Sequence, residues 1–178
     1  MKYCARLLSA VLISAITWTA HANPSGASVV SGTVTFSQPN ASTLNITNTP
    51  GAIVNWQQFG IAQGELTRFN QQSAASAILN RVTGQDPSQI LGQLQSNGRV
   101  FLINPNGVIF GQNAVIDTAG LIASTLNISN DDFLNGRMHF EDLANNAAIL
   151  NQGFIHTSNA GEVVLVAPTV EKIDGEVQ

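Results

Sequence analysis

Arg99 to Gly111 reads RVFLINPNGVIFG, two apolar runs, Val100 to Ile103 and Val108 to Phe110, around the tetrapeptide Asn104-Pro105-Asn106-Gly107. The tetrapeptide predicts a β-turn. Pro105 presets φ near −65° for its second position, Asn106 tolerates the third and Gly107 can leave with positive φ. The Asn104 side chain can bond back to the backbone as an Asx-turn. Neither flanking run alternates with polar residues, so each is a strand covered on both faces, or one whose outward residues are buried by a neighbour. A chemically specified corner therefore sits inside a core.

Outward from that corner, short apolar runs recur behind Gly or Asn-Gly: Gly98 before Val100, Gly120 before Leu121-Ile122, Gly153 before Phe154-Ile155 and Gly161 before Val163 to Val166. Long helical patterns are absent, and Gly or Asn interrupts nearly every run. Brief strands joined by such corners fit a β-sandwich or a solenoid. Apolar doublets and triplets between single corners favour the coils of a parallel β-helix, although no strict repeat length is visible. Val29 to Gln71, with VSGTVTF at 30 to 36 and the alternation Leu44, Ile46, predicts the strands that begin and cap the stack. Such a cap is needed because a first coil would otherwise expose its core and its strand edges. Asp86-Pro87-Ser88-Gln89 carries the signals of a one-turn helix start, with Asp86 as cap and Pro87 at the first helical position. This excursion would bring Ile90, Leu91 and Leu94 onto the core. Asn130 to Asn146 is polar, with Asp131, Asp132, Glu141 and Asp142, and predicts a loop or an extra-helical hairpin between coils.

Met1 to Ala22 has the three parts of a secretory leader: Lys2 and Arg6, an apolar core from Leu7 to Ala20, and small residues Ala20 and Ala22 where a signal peptidase reads. Cleavage is expected after Ala22, leaving residues 23–178. The apolar run is shorter than the ~20 residues of a spanning helix. The Sec machinery is the partner such a leader implies. The single cysteine, Cys4, lies within it, so the mature chain can form no disulfide. Losing Lys2 and Arg6 leaves five Lys+Arg against eleven Asp+Glu, a net charge of −6. This sparse, acidic surface has no basic patch for nucleic acid.

A polysaccharide-active β-helical enzyme is the rival reading, and it would need clustered carboxylates around a cation or a pair at glycosidase separation. The acids at 131, 132, 141 and 142 lie in a polar stretch with only Arg137 and His139 nearby, which reads as a solvated loop. Neither His139 nor His156 sits in a motif that positions a nucleophile. Paired cysteines, HExxH and GxxxxGK[ST] are all missing. The expectation is no catalysis, no metal and no cofactor.

The corner and the flanking sequences Ile53-Val54-Asn55-Trp56, LNRVTG at Leu79 to Gly84, ASTLNISNDDF at Ala123 to Phe133 and LVAP at Leu165 to Pro168 resemble the secretion domain of filamentous-haemagglutinin-type exoproteins. These are the cargo of bacterial two-partner secretion. The family's NPNG hallmark stands at Asn104, Pro105, Asn106 and Gly107, followed by Val108. The upstream NPNL motif of some members is absent, and the chain is more similar to the high-molecular-weight adhesin branch than to the haemolysin or contact-toxin branches. The resemblance implies an all-β, right-handed parallel β-helix with an N-terminal β cap. It implies export through the periplasm to the cell surface by a cognate outer-membrane transporter. It makes Asn104 to Val108 part of the address that transporter recognises, with Asn80, Arg81, Asp86 and Pro87 as a secondary motif. Glycosylation at the sequons Asn40, Asn45 and Asn127 is allowed, though chance occurrence suits so Asn-rich a chain. The sequence stops at Gln178 in what reads as another coil. The expectation is the front of a longer exoprotein whose contacts with a host-cell surface lie beyond residue 178; the alternative is a short stand-alone adhesin.

Overall fold

The computed structural model describes residues 23–141, 146–158 and 161–178. The leader, with Ala20 and Ala22, lies outside them, as does Asp142. The chain winds into a parallel β-solenoid of about six turns. It starts with a cap, β1 (Ser28–Ser31) and β2 (Val34–Asn40), followed by a first rung of β3 (Thr43–Asn48) and β4 (Ala52–Trp56). The second rung is β5 (Leu66–Asn70), β6 (Ala77–Val82) and β7 (Ser88–Ile90), and the third is β8 (Gln93–Ser96), β9 (Arg99–Ile103) and β10 (Val108–Phe110). The fourth holds β11 (Val115–Thr118) and β12 (Gly120–Ser124). An excursion then leaves the solenoid through β13 (Asn127–Ile128), α1 (Asn130–Leu134) and β14 (Phe140–Glu141), and the rung closes with β15 (Ala148–Asn151). The fifth is β16 (Phe154–Thr157), β17 (Val163–Val166) and β18 (Thr169–Lys172), and β19 (Glu176–Val177) begins a sixth.

Equivalent strands stack into three faces. The first runs β3-β5-β8-β11-β16-β19, the second β4-β6-β9-β12-β17 and the third β7-β10-β15-β18, with every pairing in these rows parallel. Ile78 pairs with Val100 and Val100 with Leu121, circuits of 22 and 21 residues; Leu121 pairs with Val163, a circuit of 42, because the excursion is inserted there. That insertion, and unequal corners elsewhere, explain why no strict repeat length is visible in the sequence. The antiparallel cap is narrower than the stretch Val29 to Gln71. Only β1 on β4 and β2 on β3 run antiparallel, whereas β3 and β5 already form a parallel ladder.

The predicted helix start at Asp86 to Gln89 is not formed: Ser88–Ile90 is a strand. Its ladder to Val108–Phe110, and the Ser88 N–H donating to the Gly107 carbonyl at 3.0 Å, satisfy the backbone groups that a cap would have served. A one-turn helix saves few hydrogen bonds alone, and a buried ladder with a neighbouring rung outweighs it. Ile90 and Leu94 do reach the core, fully buried, whereas Leu91 stays half-buried at a corner.

Inside the solenoid, Val54, Trp56, Ile78, Val100, Leu102, Leu121 and Ala123 from the second face meet Ile46, Phe69, Leu94 and Ile116 from the first and Ile90, Val108 and Phe110 from the third. A second apolar cluster lies on the outside of the second face, where Ile53, Leu79, Phe101, Ile103 and Ile122 are covered by Ile128 and Phe133 of the excursion. Phe101 and Phe133 meet edge to face with centroids 5.0 Å apart. The unalternated run at Val100 to Ile103 is thus buried from both sides, inward by the core and outward by the extra-helical hairpin.

Candidate functional site

The corner at 104 to 107 joins the second face to the third. The Gly107 N–H donates to the Asn104 carbonyl at 3.1 Å, closing the β-turn, and the Asn106 N–H donates to Asn104 Oδ1 at 2.9 Å, forming the Asx-turn. Asn104 is fully buried. Its Nδ2 donates to the Asp86 carbonyl and to Ser88 Oγ, both at 3.0 Å on the rung before, while its own N–H donates to the Ser124 carbonyl at 2.9 Å on the rung after. One residue, by its side chain and its backbone N–H together, therefore ties three rungs at one corner. Asn106 is exposed, and its Nδ2 donates to the Gly84 carbonyl at 2.9 Å. Pro105 is half-buried and Val108 fully buried.

Gly107 has φ +114°, and a Cβ there would stand 3.1 Å from the Ala148 carbonyl oxygen. Both the backbone region and the contact select glycine. Gly107→Ala is expected to lower stability by about 1–3 kcal/mol, read as a drop in the urea midpoint at unchanged slope.

The structure brings part of the secondary motif to this corner. The Asp86 carbonyl receives Asn104, Pro87 lies against Gly107, and the Asp86 carboxylate accepts from Gln58 Nε2 at 3.0 Å. Asn80 and Arg81 are elsewhere, on β6 of the second face. Asn80 points inward, fully buried. Its Oδ1 accepts from the Trp56 indole at 3.0 Å and its Nδ2 donates to the Phe101 carbonyl at 3.2 Å. Arg81 points outward to the excursion, donating to Asn127 Oδ1 at 3.1 Å, Asn130 Oδ1 at 2.9 Å and the Ile128 carbonyl at 2.6 Å. Burial pushes its guanidinium below the ordinary arginine value, since the charged form has lost water.

A second corner went unread in the sequence beyond its Asn-Gly signal. Between the first and second faces the Gln71 N–H donates to Asn97 Oδ1, and Asn97 Nδ2 donates back to the Gln71 carbonyl, both at 2.7 Å. Gln71 Nε2 continues to the Arg99 carbonyl at 2.9 Å. These amides replace at the corner the ladder bonds that the turning backbone cannot make.

The acids of the excursion serve it locally. Ser129 caps α1, accepting from the Asp132 N–H at 3.0 Å and donating to Asp132 Oδ2 at 2.8 Å. Arg137 donates to Asp132 Oδ1 at 2.6 Å and to the Asp131 carboxylate. These bonds, Arg137 foremost, hold the Asp132 carboxyl below its ordinary value and the Arg137 guanidinium above its own. Among the described residues no three His, Cys, Asp or Glu side chains gather as a metal-holding group.

The family whose sequence model is described as TPS secretion domain matches residues 20–178. A heme/hemopexin-binding protein of Haemophilus influenzae is 39% identical over 127 residues, covering 69% of this chain and 14% of that protein. A hemolysin of Proteus mirabilis is 32% identical over 131 residues, covering 68% of this chain and 8% of that protein. The chain thus spans a small fraction of the curated relatives it matches. The crystal structure of the HMW1 secretion domain from Haemophilus influenzae superimposes with a TM-score of 0.83 at 41% identity, over 87% of this chain and 42% of that one.

Proposed function

The chain belongs to the family of TPS, or two-partner secretion, domains, and from that premise we propose that its NPNG corner is part of the address by which a cognate outer-membrane transporter selects it. The chain is the secretion domain of a two-partner secreted exoprotein, a domain that is itself non-catalytic. Exoproteins of this family pass through the periplasm to the cell surface. The match across residues 20–178 carries the reading.

The proposed route runs in the order of the chain. Residues 1–22 direct it to the Sec machinery and are removed after Ala22. The transporter then meets residues 23–178 extended in the periplasm, where Asn104 to Val108 are accessible together with Asn80, Arg81, Asp86 and Pro87. Outside, the same residues build the corner and the ladders. Burying a large aliphatic side chain contributes ~1.5–3 kcal/mol, and ordering one residue's backbone costs ~1–2 kcal/mol. A lone rung is therefore marginal and gains by docking on rungs already formed, so folding on the capped front of the chain makes transit one-way. Because the chain spans 14% of the heme/hemopexin-binding relative and 8% of the hemolysin, the reading extends to a longer β-helical adhesin that meets a host-cell surface through regions outside this domain.

The test is secretion of the epitope-tagged chain from cells with and without the transporter gene. The chain is expected in the medium only when the transporter is present. Equal export in its absence contradicts the proposal and returns the stand-alone adhesin and the polysaccharide-active enzyme to consideration.

A further inference from the structure

Three Asn-Gly pairs stand in the chain, beginning at Asn97, Asn106 and Asn135. In such a pair the glycine nitrogen can attack the carbonyl carbon of the asparagine side chain. A C–N bond forms, ammonia leaves, and water opens the resulting succinimide to aspartate or isoaspartate. The reaction requires a free glycine N–H and a side-chain amide able to swing onto it. All three asparagines are exposed, so access of water does not separate them. Their glycines differ: Gly98 and Gly107 are buried and Gly136 is exposed. A Cβ on Gly98 would stand 2.5 Å from Gln71 Cδ, and one on Gly107 3.1 Å from the Ala148 carbonyl oxygen, whereas one on Gly136 would meet nothing within 4 Å.

At the first two pairs both reacting groups are occupied, and a neighbouring rung holds the amide. The Gly98 N–H donates to Ser96 Oγ at 3.0 Å, while the Asn97 amide is bonded both ways to the Gln71 backbone. The Gly107 N–H donates to the Asn104 carbonyl at 3.1 Å, while Asn106 Nδ2 donates to the Gly84 carbonyl. At the third pair every bond is local: Asn135 Nδ2 reaches the Asp131 carbonyl at 2.7 Å and the Gly136 N–H the Phe133 carbonyl at 3.1 Å. We propose that Asn97-Gly98 and Asn106-Gly107 are deamidation sites of the extended chain that the folded corners close, so that a chain delayed in the extended state loses the residues that build its corners. Isoaspartate brings an extra main-chain carbon and a negative charge. At 97 its carboxylate would face the Gln71 carbonyl, which can only accept, and its longer backbone would move Gly98 off Gln71. At 106 the Gly84 carbonyl would lose its donor.

The test incubates the full chain in mildly alkaline buffer, native or in guanidinium chloride, and follows deamidation at each asparagine by peptide mass mapping. In denaturant the three sites are expected to react at similar rates. In the native chain Asn135 is expected to outpace Asn97 and Asn106 by about tenfold or more, since its bonds break without parting two rungs. Ser96→Ala, which frees the Gly98 N–H, is expected to speed the native reaction at Asn97 by about threefold or more and to leave Asn106 unchanged. Native rates at 97 and 106 that match Asn135 overturn the proposal. So does a Ser96→Ala chain in which Asn97 is unmoved, or in which both corners speed up together. Chains aged in denaturant and returned to buffer are expected to carry isoaspartate at 97 mainly in the fraction that fails to refold, and equal shares in the two fractions overturn its effect on folding.

Discussion

Asn104→Ala is expected to lower the unfolding free energy by about 3–4 kcal/mol, seen as a shift of the urea midpoint with an unchanged slope. The wild-type side chain is fully buried and fully bonded. Alanine leaves the Asp86 carbonyl and Ser88 Oγ without their donor and the Asn106 N–H without its acceptor. Each buried group so orphaned costs about 1–3 kcal/mol, partly relieved where the rim admits water. Asn104→Asp separates charge from shape. It keeps an acceptor for the Asn106 N–H, and the Ser88 hydroxyl can turn to donate to it, but it aims a buried anion at the Asp86 carbonyl, which can only accept, and it falls short of the wild type at neutral pH. Asn106→Ala is the mild neighbour. Its side chain is exposed, the Gly84 carbonyl it releases can take water, and the loss is under about 1 kcal/mol.

Trp56→Ala is the second large effect, a loss of about 3–5 kcal/mol. Trp56 closes the capped end of the solenoid, fully buried, with Phe36 and Phe59 edge to face at 5.6 and 5.7 Å. Its indole N–H donates to Asn80 Oδ1, so the truncation opens a cavity and unpairs a buried amide at once. A double-mutant cycle with Asn80→Ala separates these. The coupling between the two sites measures the indole–amide bond, and the remainder of the Trp56→Ala loss is packing. Trp56→Phe keeps most of the packing and loses the bond, and is expected to fall between wild type and alanine.

The corner was legible because its chemistry is local. Asn104, Pro105, Asn106 and Gly107 carry the turn in their own side chains and φ preferences, and the structure bears out both the Asx-turn and the positive φ. The unalternated run beside it announced burial on two sides. It could not announce Phe133, which arrives from an excursion some thirty residues later. Asp86 to Gln89 shows the reverse failure: strong local capping signals gave way to a ladder with Val108–Phe110, a partner three corners further on. Asn80 and Arg81 were picked out by resemblance, and their neighbours in space gave them physical content, an indole for one and the excursion for the other. Nothing periodic marks such contacts, because rung length changes at each corner and doubles at the excursion.

The proposal that the corner is an address as well as a joint is tested most directly by secretion of Asn106→Ala beside Asn104→Ala in cells that carry the transporter, with the stability of each purified chain measured in parallel. Asn106→Ala is predicted to fold with a midpoint close to wild type and yet to reach the medium in clearly reduced amount. Wild-type secretion of Asn106→Ala, with the loss in Asn104→Ala explained by its lower stability, would contradict an address at the exposed asparagine and leave the corner a purely architectural one.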